Sequence, residues 1–257
     1  MSVSYIVSGF AVGLLVGLTG VGGGSLMTPL LTLMFGISPT TAVGTDLAFA
    51  SITKVAGTIA HRAKDNVHWH IVRRLCIGAL PAAILTALAL KYFGGLGPEA
   101  AHIIRYSIAG SVMLTVIALI FRTRLQQWMS AHPDRQIQGG KLVAATIISG
   151  AILGTLVTIS SIGAGAIGAT VLVLLYPRLT PAEIAGTDIA YAVPLTAIAA
   201  LGHWWLGSIN WELLAMLLLG SVPGITLGSL AARAIPEKLL RVLLATMLTT
   251  VAVKLVY

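Results

Sequence analysis

Two aspartates and a lysine sit where an apolar chain has little use for charge. Residues 42–61 read AVGTDLAFASITKVAGTIAH and residues 184–203 read IAGTDIAYAVPLTAIAALGH, so Thr45–Asp46 and Thr187–Asp188 recur in one setting, closed by His61 or His203. A carboxylate inside a membrane costs on the order of 2.5–3.5 kcal/mol even on the lenient insertion scale, which makes it a functional candidate. Removed from water, a carboxylate holds a proton more readily, so proton relay is one role for Asp46 and Asp188. The other is scaffolding, each acid accepting backbone N–H groups from a neighbouring turn. Lys54 has no counterpart, because Thr196 stands at its place in the second stretch. It is a candidate for attracting an anionic substrate, and its structural alternative is a salt bridge to Asp46, since a lysine this deep snorkels poorly. His61 and His203 are candidates for proton coupling or for interfacial polar residues. Pro194 is expected to kink its helix.

Two glycine clusters carry the other chemistry, TGVGGGS at 19–25 and SSIGAGAIG at 160–168. A helix starting inside the protein at Gly22, Gly23, Gly24 and Ser25, or at Gly163, Ala164 and Gly165, directs free N–H groups and a partial positive charge inward. Two such ends facing each other would make an anion site built from backbone. Ser25 would add a hydroxyl donor, and Thr45 and Thr187 join the substrate-binding candidates. The structural alternative is close helix packing through small residues. GVGGGS lacks the Lys-Ser/Thr ending of a nucleotide loop, so an ATPase is excluded for this chain alone. Cys76 is the single cysteine and offers neither an internal disulfide nor a cysteine metal site. No metal, cofactor or catalytic residue is expected. An enzymatic Ser25–His61 dyad would have to join the start of one segment to the surface end of another, so the chain is not expected to be an enzyme.

The elements that must position these groups are membrane helices. The chain has 257 residues, 57% hydrophobic and 9% charged, with a mean hydropathy of +0.95. A soluble domain keeps roughly a quarter of its residues charged, so this composition describes a polytopic membrane protein. The net charge of +8 lies in loops without interleaved aromatics, which speaks against nucleic acid and for membrane orientation. The N-terminus has no basic stretch before its first apolar run, so that run is expected to stay in the membrane.

Sliding the chain by 142 positions aligns Gly23/Gly165, Thr28/Thr170, Pro39/Pro181, Asp46/Asp188, His61/His203, Trp69/Trp211 and Pro81/Pro223, among others. Asp, His, Trp and Pro in common register mark an internal duplication: an N-terminal membrane repeat at 1–122, a polar cytoplasmic linker at 123–137, and a C-terminal membrane repeat at 138–257. Each half divides into five apolar segments: about 4–19, 23–37, 39–61, 71–93 and 102–121, then 141–160, 164–177, 181–206, 211–233 and 238–256. Most of the first two pieces in each half, at about 15 residues, reach little more than 20 Å, short of a core of ~30 Å; 141–160 could nearly span. A hairpin turning inside the membrane at the glycines is expected. If each half crosses an odd number of times, twelve Lys/Arg fall on one face and three, Lys91, Arg105 and Lys254, on the other. The expected fold is therefore an all-α polytopic membrane protein of two inverted repeats with both termini outside. Each repeat has a Gly-broken re-entrant or short helix pair plus three spanning helices. Such repeats point to a transporter with a midplane site.

GLTGVGGGSLMTPLL followed by SPTTAVGTDLAFASITKVAGTIAH resembles the sulfite exporter family TauE/SafE, also called the 4-toluene sulfonate uptake permease family. The likeness extends through SSIGAGAIGATVLVLLYPRLTPAEIAGTDIAYAVPLT and GHWWLGSINW, over nearly the whole chain. It implies a carrier of sulfite or of organosulfonates such as sulfoacetate. Distant thiosulfate carriers use membrane cysteines, which Cys76 does not match. The expected function is a secondary active, proton-coupled transporter of small sulfur-containing anions, by alternating access around a midplane anion site. A passive anion channel or uniporter is the alternative. Expected partners are a small anionic substrate, protons and the lipid bilayer, with a homodimer left open, and the expected location is the bacterial plasma (inner) membrane.

Overall fold

The computed structural model describes residues 2–19, 24–63, 65–92, 98–131 and 137–231, with residues 246, 249 and 250. Among these, every regular element is a helix: α1 (Ser2–Thr19), α2 (Gly24–Phe35), α3 (Pro39–Arg62), α4 (Trp69–Tyr92), α5 (Pro98–Ala131), α6 (Gly139–Ser160), α7 (Ala166–Leu175), α8 (Pro181–Trp205) and α9 (Trp211–Ala231). Five stretches are long and apolar enough to cross a membrane: α4, His102–Arg122 of α5, α6, α8 and Trp211–Gly228 of α9. The chain is thus an all-helical, multi-pass membrane protein. The expected last segment, 238–256, lies largely outside the described residues.

Local sequence explains where the central helices begin. Ser38 caps α3, its Oγ accepting the Thr41 N–H, and Pro39 takes the first helical position. Thr180 and Pro181 repeat this at α8, where Glu183 reaches back to complete a capping box. At 24 residues α3 extends about 36 Å, yet its threonines, Asp46 and Lys54 leave it less apolar than the helices around it. It is held by packing against protein.

The helix lengths agree with the expected short pieces: α2 has 12 residues and α7 has 10, or about 18 and 15 Å, and α1, at 18 residues with its apolar part over Val3–Val16, reaches about 27 Å. α6, the piece expected nearly to span, has 22 residues and is long enough to cross. α5 runs on through RTRLQQWMSA, most of the expected linker, to Ala131. No proline or glycine interrupts those residues, and Met129 is buried at their end.

The halves interlock. α1 packs on α9, and α6 packs on α4, so the first helix of each half lies against the fourth of the other. A Cβ on Gly9 would strike the Leu217 backbone and one on Gly13 that of Ser221; Gly150 meets Leu75 and Gly154 meets Ala79 in the same way. Small residues at four-residue spacing let these backbones touch. Equivalent glycines here are 141 apart while their partners are 142 apart, so the second half holds one more residue before Gly165. At the centre α3 lies against α8. Asn210, just past the end of α8, donates its N–H to Thr45 Oγ1 near the start of α3, and His68, just past α3, donates to Thr187 Oγ1, both at 3.1 Å. The two helices therefore run antiparallel.

Candidate functional site

Three charged side chains of α3 and α8 converge on the turn between α6 and α7. α6 stops at Ser161, whose φ of 59° turns the chain out of the helix, and Gly163 and Gly165 follow at φ 129° and 138°, a region glycine occupies without strain. The whole stretch from Ser160 to Ala169 is buried. Ser160 Oγ anchors it by donating to Ser111 Oγ of α5 at 3.1 Å. Gly168 N and Ala169 N donate to Gly163 O and Gly165 O at 2.9 Å, and no side chain caps α7 at Gly165.

Asp46 is wholly buried. Thr28 Oγ1, from α2, donates to its Oδ2 at 2.5 Å. The Ser161 hydroxyl faces the same carboxylate without forming a hydrogen bond, and Asp46 Oδ1 has none. Lys54, 6% exposed, donates from Nζ to Ala164 O at 3.0 Å, so α3 of one half is pinned to the glycine turn of the other. Asp188 and Asp46 are the carboxylates near it. Neither acid lies within the 4.0 Å of a salt bridge to it. Asp188, 3% exposed, lies with Oδ1 against Gly168 in the first turn of α7, and that oxygen also has no hydrogen bond.

The remaining candidates are placed as follows. Ala164 contributes its carbonyl to Lys54, and Gly163 and Gly165 shape the turn. The Thr45 and Thr187 hydroxyls each accept a backbone N–H from the opposite half. His203 is wholly buried; its Nε2 faces Thr158 O, so it carries the hydrogen there, and Nδ1 meets Ser208 Oγ, both at 2.9 Å. His61 lies against Gly186 near the start of α8. Neither histidine enters the Asp46–Lys54–Asp188 group. Gly24 opens α2, whereas Gly22, Gly23 and the Ser25 side chain lie outside the described residues. Among the described residues no three His, Cys, Asp or Glu side chains converge as a metal site would require.

Sequence reasoning passed over Tyr191 and Ser161 and saw Thr28 only as a repeated residue. Tyr191 is wholly buried, with its hydroxyl against Gly168 and hydrogen-bonded to nothing. Its signal was available, since Asp188 and Tyr191 are three apart on one helix and share a face.

The profile of the sulfite exporter TauE/SafE family matches residues 5–255. The probable membrane transporter protein YjnA of Bacillus subtilis is 36% identical over 256 residues, covering 100% of both chains. YdhB, a probable membrane transporter protein of the same organism, is 26% identical over 90% of this chain and 91% of its own. A probable membrane transporter protein of Methanocaldococcus jannaschii, MJ0441, is 26% identical over 95% and 91%. No solved structure matches.

Proposed function

The chain belongs to the sulfite exporter TauE/SafE family of membrane transporters, and from that premise we propose that it is a secondary active carrier of small sulfur-containing anions. The substrate class is sulfite or organosulfonates such as sulfoacetate, the coupling ion is the proton, and access alternates around a central anion site. The site lies in the bacterial plasma membrane, between halves of opposite orientation. The reciprocal Thr45–Asn210 and Thr187–His68 bonds and the antiparallel α3–α8 pair support that inverted arrangement.

One observation carries the reading. A buried lysine reaches across the halves to a glycine turn at the start of a short helix, with two incompletely bonded carboxylates beside it. The cation and the helix end attract an anion, and the acids offer places for a proton.

Uptake into proteoliposomes tests it, with sulfite, sulfate, thiosulfate, taurine and sulfoacetate offered with and without a pH gradient. Saturable accumulation of a sulfur anion against its own gradient, driven by the pH gradient, is the expected result. Flux that only dissipates a gradient would make the protein a channel or uniporter. A panel in which nothing moves would overturn the substrate class.

A further inference from the structure

The unpaired groups of α8 gather at the first turn of α7. A Cβ on Gly168 would meet Asp188 Oδ1 and lie 3.2 Å from Tyr191 Oη. Both oxygens are buried and neither forms a hydrogen bond. Asp188 is not the cap of α7, because turn carbonyls already take the Gly168 and Ala169 N–H groups. The N–H groups of Ala166 and Ile167 come too early in the helix for a partner four residues back. Lys54 Nζ, with one bond to Ala164 O, has two N–H groups left. Tyr191 Oη thus lies at the first turn of α7, whose leading N–H groups have no helical partner, and Lys54 is bonded to the turn just before it.

Charge decides how that place can be filled. One buried lysine against two buried aspartates sums to −1 when all are ionised. An arriving monoanion alone would make it −2 in a water-poor interior, whereas a monoanion with a proton leaves it at −1. The other ionisable groups near Asp188 are Arg122 of α5, which is only partly buried and so is screened by solvent, and Cys76 of α4 beside Tyr191. α7 has no ionisable residue and α6 only Lys141 in its first turn.

We propose that Tyr191 and the first turn of α7 hold the oxyanion, and that Asp188 takes a proton from solution as the anion arrives while Asp46 stays a brace. The proposal rests on the carrier reading above. Protonated Asp188 gains an O–H and becomes a further donor to the anion. Asp46, already tied to Thr28, holds α3 to α2. By linkage, anion affinity rises as pH falls, and proton affinity rises when the anion is bound.

Calorimetric titration of the purified full chain in nanodiscs tests this. The first probe is methanesulfonate, a monoanion that does not titrate near neutrality, run in buffers of different ionisation enthalpy. The wild type is expected to take up about one proton per anion. Asp188→Asn should bind with no proton uptake, Asp46→Asn should still take up the proton, and Tyr191→Phe should bind roughly 10- to 100-fold more weakly. Binding by the wild type without proton uptake overturns the proposal alone, whether or not any variant folds. So does proton uptake that survives in Asp188→Asn, or unchanged affinity in Tyr191→Phe. Failure of methanesulfonate, sulfite and sulfoacetate to bind folded wild type overturns the sulfur-anion reading and this site with it.

Discussion

Asp46 and Asp188 stand at equivalent places in the sequence match, yet among the described residues only Asp46 receives a hydrogen bond. Thr28 gives its hydroxyl to Asp46, whereas its counterpart Thr170 turns its own back to Ala166 O of the same helix. Lys54 reaches across the halves, whereas Thr196 in the matching place bonds Ala192 O. The sequence match between the two stretches keeps the acids and not their surroundings.

The harshest way to break this comparison is to remove the cation both acids share. Lys54→Met would leave two buried carboxylates with no nearby buried counter-charge, and removal of one member of such a group costs about 3–5 kcal/mol. Thermal unfolding in detergent should show the loss. Because Thr28 still donates to Asp46 whereas Asp188 Oδ1 has no hydrogen bond, adding Asp188→Asn should restore more stability than adding Asp46→Asn. Equal recovery from both would erase the asymmetry.

A gentler test sharpens it. Thr28→Val takes away the hydroxyl that donates to Asp46, which should destabilise by about 1–3 kcal/mol, the usual penalty for stranding a buried acceptor. Thr170→Val at the matching site should change stability by well under about 1 kcal/mol, since a hydroxyl bonded to the carbonyl four residues back contributes little. Comparable losses at the two threonines would mean that Asp188 also relies on its short helix. The pair of measurements needs no substrate, so it tests the scaffold apart from transport.

Much of this centre was legible in the sequence because the chain states it twice. Asp46 and Asp188 stand out against their apolar flanks, and Ser38–Pro39 and Thr180–Pro181 mark where their helices start. Lys54 was visible as the break in the repeat. What stayed hidden depends on contacts between distant segments. Nothing near Thr45 or Thr187 announces that its hydroxyl accepts an N–H from a loop of the other half. Nor does anything near Gly9 say that it packs on α9: with 28 glycines in the chain, small residues alone cannot choose a partner. α5 was read too short because arginine and glutamine suggest a linker by composition while favouring helix by propensity.

The smallest expected effect lies at the one end of α8 where the halves also differ. His68 Nε2 meets Glu183 Oε1 at 2.9 Å, joining the loop after α3 to the start of α8, with both side chains partly exposed at 28% and 27%. Their counterparts, Asn210 and Thr41, are neutral, and Asn210 Oδ1 instead accepts the Leu213 N–H at 3.0 Å at the start of α9. Glu183 also accepts the Thr180 N–H at 2.7 Å in its capping box. Glu183→Gln keeps an acceptor for that cap and removes only the charge. A partly exposed pair contributes about 0–1 kcal/mol, so the variant should lose no more than that, and the difference from wild type should shrink in about 1 M salt, where screening reaches within a few ångströms. A double-mutant cycle with His68→Ala that gave a coupling well above about 1 kcal/mol would show that this end is locked by charge.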